Sequence, residues 1–207
     1  MAAESLPTPM PTTLASALWP AASAGSDRAA TLARAVFLAL VGTALLTLSA
    51  KIKVPFYPVP MTLQTLVVLW LGAAYGSRLA AVTVIAYLVE GALGLPVFAD
   101  TPERGIGLAY MMGPTGGYLL GFVAGAFLVG VLCERGLGRS LLGMGVAMTL
   151  GHLAIFAFGF GWLAMAIGAE KAWLAGVVPF FAATALKTAL GAALVPAVWT
   201  VVDKRRG

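Results

Sequence analysis

The chain has 207 residues, of which 60% are hydrophobic and only 10% charged, and its formal net charge is +5. A soluble domain of this length needs a charged surface that such a composition does not supply, so hydrocarbon is the expected solvent for most of the chain. One cysteine (Cys133) and one histidine (His152) exclude an internal disulfide framework and argue against a cysteine- or histidine-built metal site, and the small basic excess, spread over loops and the C-terminus, is not a nucleic-acid footprint.

Residues 1–28 are rich in Ala, Pro, Ser and Thr, and are expected to form a disordered tail. They lack the basic start, apolar core and cleavage site of a secretory signal. Residues 29–207 then divide into six apolar runs, which predicts an all-α, integral membrane bundle of six transmembrane helices. The first run spans about Leu32 to Ala50. Ala35 and Ala39 lie four apart on one of its faces, a spacing that lets another helix approach closely, inside the bundle or from a partner.

The segment from Lys51 to Pro60 carries Pro55, Pro58 and Pro60, which forbid a regular helix. Phe56 and Tyr57 at its centre make it apolar for a loop, as suits either a lid over a cavity or a rigid interfacial connector. The second run, Met61 to about Tyr75, opens on the polar Thr62, Gln64 and Thr65. The third, about Leu79 to Phe98, contains Tyr87 and Glu90. An unpaired carboxylate inside a bilayer costs several kcal/mol, so Glu90 needs the interface, a proton or a partner. Gly91, Gly94 and Pro96 loosen the end of this run.

After an aqueous loop with Asp100, Glu103 and Arg104 comes Gly113-Pro114-Thr115-Gly116-Gly117-Tyr118. Pro114 suits a first helical turn. Thr115, Gly116 and Gly117 leave bare N–H groups where a helix begins, which favours a negative or accepting ligand group. Paired glycines equally allow another helix to come close. The fourth run continues to about Cys133. The fifth, about Leu141 to Ile167, carries His152, read here as a packed core side chain. Glu170 and Lys171 are expected in a loop, with a sixth run from about Val177 to Val202. Lys187 lies well inside that run, and an ionisable residue at such depth is a functional-site candidate, or else half of a structural pair with Glu90.

Arginines and lysines decide the orientation. Arg28, Arg34, Arg78, Arg135, Arg139 and the C-terminal Lys204, Arg205 and Arg206 fall on one side, against Lys51, Lys53, Arg104 and Lys171 on the other. The positive-inside rule then predicts cytoplasmic N- and C-termini. The proline-rich loop, the Gly113 motif and Lys187 share the outer half of the membrane.

Three stretches in order, Val59-Pro60-Met61-Thr62-Leu63-Gln64-Thr65, Gly94-Leu95-Pro96-Val97-Phe98-Ala99 and Gly113-Pro114-Thr115-Gly116-Gly117-Tyr118-Leu119, resemble the BioY family, the biotin-specific substrate-binding (S) components of energy-coupling factor transporters. The resemblance covers nearly everything after Leu32. It implies biotin bound near the outer face, a lid at Lys51–Pro60, and a small-residue face (Ala35, Ala39) that meets a transmembrane coupling subunit. It also implies two cytoplasmic ATPases, since this chain has no Walker-type phosphate loop of its own. Homo-oligomerisation stays open. Many relatives carry an aspartate where this chain has Thr184, three residues before Lys187 and on the same helix face.

The substrate-binding residues expected on this basis are Lys187, Tyr118, Thr115, Gly116, Gly117, Gln64, Tyr87, Glu90, Thr184, Tyr57 and Phe56, with no cofactor. Competing readings are a different small vitamin, or a structural subunit without a ligand. A membrane enzyme is disfavoured, because only His152, Glu90 and Lys187 lie within the runs.

Overall fold

The structure is a computed structural model that describes residues 12–19, 28–54 and 61–205. Phe56 and Tyr57 lie outside the described residues.

A short helix, α1 (Leu14–Leu18), begins at Thr13, whose hydroxyl accepts from Ser16 N at 3.1 Å. It falls within the stretch expected as a tail, and buries Leu14 and Ala17. The long α2 (Arg28–Lys51) follows. Its Arg34 holds α1 in place: Nη2 donates to the Ala15 carbonyl at 2.8 Å, and the guanidinium sits 5.9 Å from the Trp19 ring centroid.

Two strands, β1 (Lys53–Val54) and β2 (Met61–Thr62), pair antiparallel with Lys53 opposite Thr62 and Val54 opposite Met61. Met61 and Thr62 therefore do not open the second helix as expected, and the fold is not purely α. Their backbone is drawn into the ribbon, and Leu63 N continues it to Ile52 O at 3.2 Å. The helix α3 starts only at Gln64 and ends at Tyr75.

Gly76 makes the turn into α4 (Ser77–Ala92) at φ +80°, a left-handed conformation that favours glycine. A Cβ there would also press on the Glu134 carboxylate, which accepts from Ser77 N at 2.7 Å. α4 stops earlier than the third apolar run, because Gly94 at φ +95° turns the chain away. Phe98 then folds back over Gly91, in T-shaped contact with Tyr87.

A short α5 (Gly107–Met111) leads to α6 (Gly116–Glu134), with Pro114 in the turn before the helix and not in its first turn. Ser140 caps α7 (Leu141–Ile167) by accepting from Gly143 N at 3.1 Å. Glu170 and Lys171, expected in a loop, sit in α8 (Ala169–Gly176). A 3-10 turn at Val178–Phe180, with Pro179 in it, precedes α9 (Phe181–Lys204).

The helices run up and down as one bundle, with α6 packed most extensively against α7 and then against α3 and α4. Leu69, Val84, Tyr87, Met144, Met148 and Ile155 fill its centre. The outer surface is apolar, as at Leu32, Phe37, Leu142 and Met165, which is how a protein solvated by lipid is built. Among the described residues, four stretches are long and apolar enough to cross a membrane: Arg28–Lys51, Gly116–Glu134, Leu141–Ile167 and Ala169–Lys204. α3, with 12 residues, reaches only about 18 Å of a hydrocarbon core of about 30 Å.

Candidate ligand-binding site

Lys187 is the buried cation around which the site is assembled. It lies under two turns into α9 and is 7% exposed. Its ammonium donates to Thr65 Oγ1 on α3 at 2.9 Å. Glu90 does not fill the partner role considered for it. It is half-buried near the end of α4, and among the described residues no ion pair joins it to Lys187. An ammonium has three N–H donors, so the Thr65 bond leaves most of its capacity unused.

On the same face of α9, Thr184 lies one turn before Lys187 and Thr188 directly after it; both are half-buried. Across the seam on α7 stands His152, 3% exposed. Its Nδ1 lies 3.0 Å from the Met148 carbonyl and 3.2 Å from Thr188 Oγ1. Nε2 is buried and has no hydrogen-bond partner among the described residues. One turn along α7, Phe156 meets Phe180 and Tyr118, with ring centroids 6.2 and 6.4 Å apart. A polar seam of Thr65, Lys187, Thr188 and His152 therefore lies next to an aromatic wall.

Tyr118 contributes to that wall through its ring. Its hydroxyl is committed, donating to Gly176 O at 2.6 Å. Gly116 and Gly117 are buried against α7: a Cβ at Gly117 would fall on the Trp162 side chain, and one at Gly116 on the Met111 carbonyl. Trp162 Nε1 also donates to Gly113 O at 3.0 Å. The glycine pair lets α6 pack closely on α7, one of the two roles its sequence allowed. Thr115 is exposed at the start of α6.

Gln64 and Tyr87 come together next to Thr65. Gln64 Nε2 donates to Tyr87 OH at 2.7 Å, which donates to Val97 O at 2.8 Å. Both residues are buried, at 4% and 0% exposure. This chain ties α3, α4 and the segment after α4 around the polar seam. The base of the proline-rich loop is also fixed. Lys51 Nζ donates to Phe98 O, Thr101 O and Thr101 Oγ1 at 2.8, 2.7 and 2.9 Å, and Lys53 pairs with Asp100 at 2.6 Å. Lys53 first, then Arg104, holds the Asp100 carboxyl below its ordinary range.

A separate cavity of about 500 Å³ lies at the other end of the bundle, between α1, Arg34, Tyr75, Arg78 and Glu134. None of the described residues expected to bind ligand lines it. Among the described residues no three His, Cys, Asp or Glu side chains gather as a metal site requires.

The chain is similar to known proteins in sequence and in fold. The sequence model of the BioY family matches residues 16–204. The chain belongs to the BioY family. Among BioY relatives, a protein of Pyrococcus horikoshii described as "Probable biotin transporter BioY" is 37% identical over 157 residues, which is 76% of this chain and 91% of that one. The "Biotin transporter BioY" of Thermotoga maritima is 36% identical over 153 residues, 71% of this chain and 85% of that one. This BioY chain also shares its fold with the crystal structure of an "S-component for biotin from an ECF-type ABC transporter". The TM-score is 0.69 at 22% identity, covering 84% of this chain and 95% of the other.

Sequence reasoning named Lys187, Gln64, Tyr87 and Thr184 but missed Thr65, Thr188 and Phe156 as their neighbours. In the sequence Thr65 reads only as polarity near the membrane edge. The available signal for Thr188 was its four-residue spacing from Thr184, which sets both on the Lys187 face of this BioY helix.

Proposed function

We propose that this chain binds biotin with high affinity and serves as the substrate-binding component of an energy-coupling factor transporter in the cell membrane. The carrying observation is Lys187, a buried ammonium with one neutral partner, facing a polar seam backed by aromatic rings. Biotin joins an apolar bicycle and a cyclic urea to a carboxylate-bearing chain. An apolar pocket with a few fixed polar groups is what such a ligand needs. The names of the Pyrococcus horikoshii and Thermotoga maritima relatives support the ligand assignment.

Six membrane spans follow if α3 and α4 cross as shorter, protein-buried segments beside α2, α6, α7 and α9. Residues 29–207 form that domain, with both termini cytoplasmic by the distribution of Lys and Arg. Ala35 and Ala39 lie half-buried on α2, the helix with the smallest buried share among the candidate spans. They form the face for a transmembrane coupling subunit, with two ATPase subunits supplying energy. Lys187, Gln64, Tyr87, Thr184 and Glu90, with the Tyr118 ring, Gly116, Gly117 and Thr115 framing the entrance and Phe56 and Tyr57 on the lid, make up the binding region.

The test is purification in mild detergent from cells grown on biotin, followed by an assay of co-eluting biotin and competition by other vitamins. Stoichiometric biotin displaced only by biotin supports the reading. Retention of a different vitamin, or of no ligand together with no biotin binding, overturns it.

A further inference from the structure

His152 holds a hydrogen-bonding capacity that the fold itself does not use. A carbonyl oxygen only accepts, so the 3.0 Å contact with Met148 O requires Nδ1 to carry the proton. In the neutral ring Nε2 is then a lone-pair acceptor. It is buried and has no partner among the described residues, and polar atoms in that state are uncommon in folded proteins and call for a reason. Thr188 Oγ1, 3.2 Å from the same Nδ1, fixes the ring from the α9 side. Lys187 is next to Thr188 in sequence, and both are on α9. Two complementary capacities thus sit at one α7–α9 seam, a bare acceptor on His152 and unused ammonium donors on Lys187.

We propose that His152 Nε2 is a ligand-contacting acceptor that selects a neutral N–H donor, and that with Lys187 it reads a group presenting N–H next to C=O. The inference rests on the biotin reading and sharpens it. An ionised carboxylate offers only acceptors, so it satisfies Lys187 and is repelled by the Nε2 lone pair. The cyclic urea offers a carbonyl to Lys187 and an adjacent N–H to His152. Thr184 on the same α9 face brings a hydroxyl, which both donates and accepts, and no charge, whereas the neutral imidazole adds a nitrogen that only accepts. The neighbouring Phe156, Phe180 and Tyr118 rings then lie against the apolar part of the ligand.

Calorimetric titration of the purified full chain in detergent tests this with biotin and with two lactam analogues, each replacing one urea N–H by CH2. The wild type is expected to bind one of the lactams at least about tenfold more weakly than biotin. His152→Phe, which keeps a ring and loses the acceptor, is expected to weaken biotin by about tenfold and to lose the discrimination between biotin and that lactam. His152→Gln, which restores an acceptor oxygen, is expected to recover most of both. Biotin binding to the wild type with an undiminished biotin-to-lactam preference in His152→Phe overturns the inference and leaves the biotin reading intact. If His152→Phe does not fold, the wild type decides alone: equal affinity for biotin and both lactams overturns it. A wild type that binds no biotin removes the underlying reading instead.

Discussion

Lys187 and Thr65 join two helices that are far apart in sequence, with Nζ donating to Oγ1 at 2.9 Å from α9 to α3. The bond holds a buried ammonium in one position and does nothing to neutralise it. A cation kept this way is preorganised for an acceptor brought from outside, because the ordering of its long side chain is already complete before binding.

Removing the ammonium should therefore be costly for ligand binding. A hydrogen bond to a charged group contributes roughly 1.5–3 kcal/mol, so Lys187→Ala should weaken biotin by about ten- to a hundredfold. Thr65→Val removes only the positioning contact and should cost less, about threefold to tenfold. Calorimetry on the purified variants measures both. Unchanged affinity in a folded Lys187→Ala protein would take Lys187 out of the site.

The Gln64–Tyr87–Val97 chain makes a different prediction, because all its members already have partners. Tyr87→Phe strands the Gln64 amide and the Val97 carbonyl in the core. The expected loss is about 1–3 kcal/mol of stability, read as a lower unfolding midpoint in detergent. A variant as stable as the wild type would mean that these groups find water or a ligand instead.

Much of the fold was legible from hydropathy alone, because long apolar runs broken by charges leave few alternatives. Lys187 stood out for the same reason, as a lone cation deep in such a run. The Gly113 motif was harder. Bare amides for a ligand and small residues for a helix contact have one sequence signature, and the helix contact itself is made with Trp162, some 45 positions away and hidden among other apolar residues. The strand at Met61–Thr62 was masked by its continuity with an apolar helix, since periodicity does not distinguish two residues. His152 looked like a packed core side chain, and its burial agrees. What sequence did not reveal is that only one of its nitrogens is satisfied.

Acid should loosen the ribbon that carries the proline-rich loop. Lys53, and more weakly Arg104, hold the Asp100 carboxyl below the ordinary value of 3.8. A lowered folded value means that this stabilisation is complete above the ordinary carboxylate range. It is lost as pH falls through the lower, folded value. Unfolding midpoints from about pH 6 to about pH 3 should fall more steeply for the wild type than for Asp100→Asn, which has no carboxyl to protonate. Equal slopes would show that the Lys53–Asp100 pair contributes nothing at this end of the bundle.

Two glycines separate packing from composition. At Gly117 an added Cβ would fall on the Trp162 side chain and press the Phe158 carbonyl, both on α7. Backbone and a helix-anchored Cβ do not move aside, so α6 and α7 must part, and Gly117→Ala should destabilise by roughly 1–3 kcal/mol. Gly161 lies on α7 close to that contact, yet an added Cβ there meets nothing within 4 Å. Alanine is the better helix former by up to about 1 kcal/mol, so Gly161→Ala should leave the midpoint unchanged or raise it. Thermal unfolding of the two variants in one detergent decides the matter. If both lower the midpoint alike, the loss comes from glycine flexibility in α6 and α7. If only Gly117→Ala does, the close approach of those two helices sets the stability of the wall beside Lys187.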